Sequence, residues 1–140
     1  VAMTIYTVAL LVRTVADGVA AAHGCTASVE ITQGYPVTVN DAGFAGFVSE
    51  VADRALGGGR AFEMPSPVMG AEDFSYVLQK VQGAMVFLGV CPPEHSNPFA
   101  APACHSNRMV LHEDVMADGI ALHAAVATSF LERGGITSPA

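Results

Sequence analysis

Basic residues are scarce in this sequence, and their scarcity excludes one class of function. Six lysine and arginine residues are outnumbered by 13 acidic residues, which gives a net charge of -7. The few basic residues are scattered along the chain, whereas a nucleic-acid-binding surface needs them clustered. We therefore expect no nucleic-acid partner.

Cysteine is also scarce, and tryptophan is absent. The three cysteines, Cys25, Cys91 and Cys104, make an odd number and have no CxxC or zinc-knuckle spacing. This pattern indicates neither a disulfide framework nor a structural zinc site, so we expect reduced thiols. The composition as a whole fits a soluble, cytoplasmic protein.

The sequence lacks an apolar run long enough to suggest a membrane segment. The stretch 1–12 is apolar, but a transmembrane helix needs about 20 such residues. It has no basic residues before it and is followed by Arg13 and Asp17. We expect part of a helix here, and no membrane partner.

Hydrophobic periodicity predicts an α/β fold. Residues 5–22 have helix-forming composition, and residues 26–32 alternate between apolar and polar side chains, as in a half-buried strand. Pro36 prevents a helix over the connector that follows. The further predicted elements are helices over 41–56, 71–81 and 113–132, and strands over 61–64 and 84–90.

Two motifs flank the apolar run 84–90, and together they predict a functional site. The first, PVMGAEDFSY, occupies residues 67–76 and the second, CHSNR, residues 104–108. Loops that follow buried strands carry the chemistry in open α/β sheets. We expect His105 to lie in one concave region with Glu72 or Asp73, and Cys104 to point towards the core.

His105 is the best candidate for a metal ligand. A loop histidine can offer a neutral imidazole nitrogen to zinc at about 2.0 to 2.1 Å. Taken alone, a loop histidine is more often solvated or structural. His95 occurs in the same tripeptide, HSN, within a proline-rich stretch, and we expect it in a surface loop.

Glu72 and Asp73 have two interpretations. Acidic residues in a first helical turn are favoured by the helix dipole, by about 0.3 to 1 kcal/mol. Alternatively, one of these carboxylates orients His105 or a substrate group. Asn40 or Asp41 can cap the helix predicted over 41–56, and capping is the simpler role for Asn40.

Two other motifs are less favoured. Cys104 beside His105 suggests a thiol nucleophile, but adjacent loop residues usually point apart and no third orienting group is evident. His112 and Glu113 begin a zinc-protease motif, HExxH, which fails because position 116 is methionine.

The order of motifs resembles the aminoacylase, hippurate hydrolase and auxin-conjugate amidohydrolase group of co-catalytic metallopeptidases. The likeness lies in PxPxMGAEDFSY, then GAMVFLG, then HSNRMVL with Glu113 and Asp114, and runs from about 18 to 133. It covers the last third of a typical member. The resemblance implies that residues 1–34 are the remnant of a small α+β lid, or dimerisation, domain. Residues 35–140 are then the C-terminal α/β part of the catalytic domain.

The resemblance also implies a function. The complete protein would hydrolyse N-acyl amino acids or small peptides with a pair of divalent metal ions, zinc or manganese, and His105 would be one ligand. The other ligands and the general base lie in motifs absent from these 140 residues, so this chain alone is expected to be inactive and to bind no metal tightly. A homo-oligomer is expected through the lid. The alternative is a non-catalytic interaction or assembly module derived from the same scaffold.

Overall fold

The structure is a computed structural model that describes residues 2–136, with residues 2–6 and 99 described by their backbone alone. The chain divides into two compact units, Val1–Gly34 and Tyr35–Ala140. The identification of these units as lid and catalytic domain remains a prediction.

The first unit is built on one long helix, α1, which spans Ala2–Ala22. The predicted helix over 5–22 is therefore confirmed. The turn that follows the helix contains Gly24, which has a φ of 67° that glycine adopts without steric cost. The amide of Cys25 closes the end by donating to the carbonyl of Ala20 at 2.8 Å. Several apolar side chains on α1 are more than half exposed, among them Val8, Leu11 and Val15.

Between residues 35 and 136, the second unit contains three α-helices and a short 3-10 turn. They are α2 (Ala42–Leu56), α3 (Ser75–Leu78), the 3-10 turn Pro98–Ala100 and α4 (Val115–Arg133). Asp41 caps α2, because its side chain accepts a hydrogen bond from the amide of Phe44 at 2.8 Å. α4 ends at Gly134, whose φ is 70° and whose amide donates to the carbonyl of Leu131. The predicted helices over 41–56 and 113–132 are confirmed.

The core of the second unit lies between α2 and α4, which pack against each other. α2 supplies the buried apolar side chains, and α4 covers them with partly buried ones. Phe44, Phe47 and Phe130 form an aromatic cluster with ring centroids 5.8 to 6.4 Å apart. Arg133 extends this cluster, since its guanidinium lies 5.0 Å from the ring centre of Phe47. The buried apolar residues are Phe47, Val48, Val51 and Ala52.

The predicted strands are not present among residues 2–136, so the sheet half of the expected α/β fold is wrong for this part of the chain. Residues 26–32, 61–64 and 84–90 form no ladder. A strand needs a neighbour for its backbone groups, and 84–90 has only isolated contacts. At one end, the backbone of Met85 is hydrogen-bonded to the Asn40 side chain. At the other end, the carbonyl of Val90 accepts a hydrogen bond from the amide of His112. The central apolar side chains of this segment are exposed, as with Phe87 at 62%.

The helix predicted over 71–81 is shorter than expected, at Ser75–Leu78. Irregular turns follow it, in which Lys80 and Val81 both donate to the carbonyl of Val77. Ser75 is the one buried residue in 71–81, so this segment has too few tertiary contacts to extend the helix.

Within the described part of the chain, one stretch, Glu113–Arg133, is long and apolar enough to cross a membrane by length and composition alone. Core helices of water-soluble proteins share these properties. This stretch includes α4, which packs on α2 through Val126 and Phe130.

Candidate functional site

The candidate site is a loop, residues 91–111, whose two ends are held together. The amide of His112 donates to the carbonyl of Val90 at 2.9 Å. α4 begins three residues after His112, and Leu88 contacts this helix, since its Cδ2 lies 3.0 Å from where a Cβ on Gly119 would be. The loop therefore starts and ends beside the first turns of α4.

His105 has an unusual backbone conformation within this loop. Its φ is 72°, and it is the one non-glycine residue with a positive φ among those the structure describes. A tight turn surrounds it, in which the amide of Ser106 donates to the carbonyl of Ala103 at 3.0 Å. The Ser106 hydroxyl in turn accepts from the amide of Arg108 at 3.2 Å. His105 is exposed, so its imidazole is accessible to a ligand or a partner.

Glu72 and Asp73 lie just before α3. Glu72 is half-buried, and its Oε1 accepts a hydrogen bond from the amide of Phe74 at 3.1 Å. This bond is a local turn contact and not a cap of α3, whose N-cap is Phe74 and which has no side-chain cap hydrogen bond. Asp73 is exposed. Among residues 2–136, no hydrogen bond or ion pair joins either carboxylate to His105, so their common concave region stays a prediction.

The residues described do not form a complete metal site. No group of three or more histidine, cysteine, aspartate or glutamate side chains between residues 2 and 136 could hold an ion. Catalytic zinc sites use three protein ligands and an open position. His105 can therefore supply one donor, and a complete site needs further ligands from outside this set.

Other candidate residues are placed as follows. Cys104 is exposed, so the expectation that it points towards the core is wrong. A turn at 104–105 places it on the surface beside His105. Cys91 is half-buried, and its thiol donates to the carbonyl of Pro92. His112 pairs with Asp114, with 3.5 Å between Nε2 and Oδ2.

Asn40 is the residue whose role the sequence did not reveal. The cap of α2 is Asp41, so the capping role expected of Asn40 is wrong. The Asn40 carboxamide instead binds the backbone of Met85, both as donor and as acceptor. Its Nδ2 donates to the Met85 carbonyl at 3.0 Å, and its Oδ1 accepts from the Met85 amide at 2.8 Å. The two residues are 45 positions apart, so no local pattern signals the contact.

Comparison with known proteins gives one family. Residues 2–129 match the sequence profile described as peptidase family M20/M25/M40. The matched region includes both motifs of the candidate site. No solved structure matches significantly.

Individual relatives are similar over most of this chain. The IAA-amino acid hydrolase ILR1-like 2 of Arabidopsis thaliana is 37% identical over 117 residues, which is 81% of this chain and 26% of that protein. The N-acetyldiaminopimelate deacetylase of Lactiplantibacillus plantarum is 33% identical over 86% of this chain and 28% of its own length. The deacetylase of the same name from Streptococcus pneumoniae is 35% identical over 87% and 29%. The chain thus spans little more than a quarter of the length of these relatives.

Proposed function

The chain belongs to peptidase family M20/M25/M40, and from that premise we propose that it forms part of a metal-dependent amidohydrolase. The substrate is an N-acyl amino acid or a small peptide. The match over residues 2–129 carries this proposal. The relatives support the substrate class, because their names describe hydrolysis of an IAA-amino acid and removal of an acetyl group from N-acetyldiaminopimelate.

We assign His105 the role of a metal ligand. Its imidazole is exposed, and its positive φ holds it at the tip of a hydrogen-bonded turn. A pair of zinc or manganese ions would supply Lewis acidity towards the amide carbonyl. Glu72, or Asp73 beside it, would orient His105 or the substrate. With one donor here, the chain alone is expected to be inactive.

The remaining assignments concern the setting of the enzyme. Residues 1–34 would be the lid and residues 35–140 the end of the catalytic domain, in a cytoplasmic protein. The exposed apolar side chains of α1 support association, since large apolar patches mark interaction surfaces. The same observation favours the second candidate function, a non-catalytic assembly module.

A chimera tests the enzymatic proposal and separates it from the alternative. The region of the Lactiplantibacillus plantarum deacetylase that matches this chain would be replaced by residues 2–129, and deacetylation would be assayed with added zinc or manganese. The chimera is expected to be active. His105→Ala is expected to lower activity and metal content together, by about 100-fold in activity, as removal of important metal-site interactions does.

His95→Ala is the matched control, because His95 lies in the same HSN tripeptide. It should leave activity and metal content unchanged. A folded chimera without activity, or a His105→Ala variant as active as its parent, would contradict the proposal and favour the assembly module.

A further inference from the structure

We infer that Asn40 is a positioning residue, whose carboxamide takes the place of a neighbouring β-strand and holds residues 83–90 extended. These residues lead into the loop 91–111, the His105 loop. The importance of that loop rests on the proposed function. The contact itself rests on geometry alone.

The hydrogen bonds of Asn40 reproduce those of a strand pair. In an antiparallel ladder, a bonded residue both donates its amide and accepts at its carbonyl. Met85 does both towards the one side chain of Asn40, at 2.8 and 3.0 Å. The next residue adds a third bond, because the amide of Asp41 donates to the carbonyl of Gly83 at 3.0 Å.

Asn40 can act as a fixed point because it is anchored to the core. It directly precedes Asp41, the cap of α2. Three and six residues after that cap, Phe44 and Phe47 pack into the cluster with Phe130 of α4. A displacement of Asn40 would therefore disturb the first turn of α2.

The two hydrogen bonds between Asn40 and Met85 form a clamp that acts on the His105 loop through residues 83–90. Asn40 holds this segment at Met85, and the bond from His112 to Val90 closes the loop at the other end. Between these two points, the described residues make no backbone hydrogen bonds at 86–89. The segment is thus held at its ends, so loss of the Asn40 bonds frees the near end of the loop.

Asparagine is suited to this role because its side chain offers one donor and one acceptor in a fixed plane. Alanine removes both groups. Aspartate keeps the acceptor for the Met85 amide but, when ionised, presents no donor to the Met85 carbonyl. A protonated aspartate restores the donor, so this substitution can separate the two bonds.

The first test is amide hydrogen exchange in the whole 140-residue chain. In Asn40→Ala, the amide of Met85 should exchange about fivefold faster, which corresponds to the net loss of one hydrogen bond. The amide of His112 should also exchange faster, and the ring signals of His105 should shift. The amide of Val51 in the core and the ring of His123 on α4 should not change.

Two results would overturn the inference. If the Met85 amide keeps its protection, Asn40 does not hold the segment. If the amides of Met85 and Val51 accelerate alike, Asn40 contributes to global stability and positions nothing.

A second test uses the pH dependence of Asn40→Asp, compared with the original chain at each pH. The groove beside Asn40 also contains the charged groups of Asp41 and Lys80. A hydrogen bond from the protonated carboxyl to the Met85 carbonyl raises the carboxyl pKa in the folded chain. The clamp should therefore be present at acid pH and be lost as the pH rises through that pKa, with faster exchange at His112.

Gln79→Glu is the matched control, because it adds the same charge to the same groove. It should show no such pH dependence, and an equal response in both variants would overturn the inference. Neither exchange experiment needs catalysis. An inactive chimera would therefore contradict the proposed function without contradicting the role of Asn40.

Discussion

The helix pair α2–α4 and the segment that joins it, residues 57–114, are stabilised in different ways. Four apolar side chains of α2 are buried against α4, with Val51 only 1% exposed. Among the residues of the joining segment whose side chains the structure describes, only Ser75 and Pro92 are buried. Large apolar side chains are exposed there instead, such as Phe62 at 82% and Met69 at 95%.

This difference follows from where backbone hydrogen bonds can be made. A helix satisfies its own amides and carbonyls, so two amphipathic helices need only each other. An extended segment needs a neighbouring strand for its backbone hydrogen bonds. Among the described residues, the backbone of 84–90 is hydrogen-bonded only to the Asn40 side chain and to the His112 amide. His105, the predicted metal ligand, thus lies in the joining segment, where extended residues have no neighbouring strand among residues 2–136.

The largest expected effect comes from Phe47, which is 5% exposed. Phe47→Ala removes an aromatic ring from the cluster with Phe44 and Phe130 and leaves a cavity, so we expect the free energy of unfolding to fall by about 3 kcal/mol. Urea denaturation followed by circular dichroism measures this change.

Phe62→Ala is the matched control for that measurement, since the same side chain is removed from an exposed position. It should alter stability by less than about 0.5 kcal/mol. Equal losses in the two variants would mean that the joining segment is as well packed as the helix pair.

Much of the helical structure was predictable, because its signals are local. Helix-forming composition located α1, and apolar periodicity located α2 and α4. The caps at Asp41 and Gly134 belong to short sequence patterns. The strands were predicted from the same kind of pattern and are absent from the described residues, because a strand depends on a neighbour that periodicity does not supply.

The candidate site was predictable only in part, for the same reason. The motifs containing Glu72 and His105 can be found from the sequence, but their separation depends on tertiary contacts. The contact of Asn40 with Met85 joins positions 45 apart, and the ion pair of Arg133 with Glu50 joins positions 83 apart. No spacing rule predicts contacts of that range.

The next largest effect on the free energy of unfolding is expected at His105, in the joining segment. A left-handed conformation costs a residue with a Cβ about 1 to 2 kcal/mol, and glycine avoids this cost. Because the φ of His105 is 72°, we expect His105→Gly to be more stable than His105→Ala by about 1 kcal/mol. Urea denaturation of both variants gives this difference. The opposite order would mean that the turn relaxes in solution.

A smaller effect is expected at Gly119, where the joining segment contacts α4. Alanine is preferred over glycine in a helix interior, and we expect Gly119→Ala to raise the free energy of unfolding by about 0.5 kcal/mol. The added Cβ would lie 3.0 Å from Cδ2 of Leu88, which is 43% exposed and therefore able to move aside. A lower stability than the original chain would show that Leu88 is held firmly against α4.

The smallest effect concerns the exposed ion pair at the end of the helix pair. The pKa of Glu50 lies below its ordinary value of 4.5, chiefly because its carboxylate accepts a hydrogen bond from Arg133. Loss of hydration opposes this shift, and the charges of Arg133 and Arg54 lower the pKa further. The 2.6 Å bond from Arg133 Nη2 to Glu50 Oε1 joins α4 to α2.

A carboxyl with a lowered pKa in the folded state contributes stability above its unfolded pKa and loses it as the pH falls through its folded pKa. Glu50→Gln should therefore be slightly less stable than the original chain at neutral pH, and the two should converge as the pH falls below 4.5. Denaturation midpoints across that pH range measure the convergence, and Glu132→Gln is the control, because Glu132 is an exposed glutamate beside Arg133 on α4. A difference between the Glu50→Gln variant and the original chain that persists undiminished in acid would mean that the side chain contributes through packing rather than through its charge.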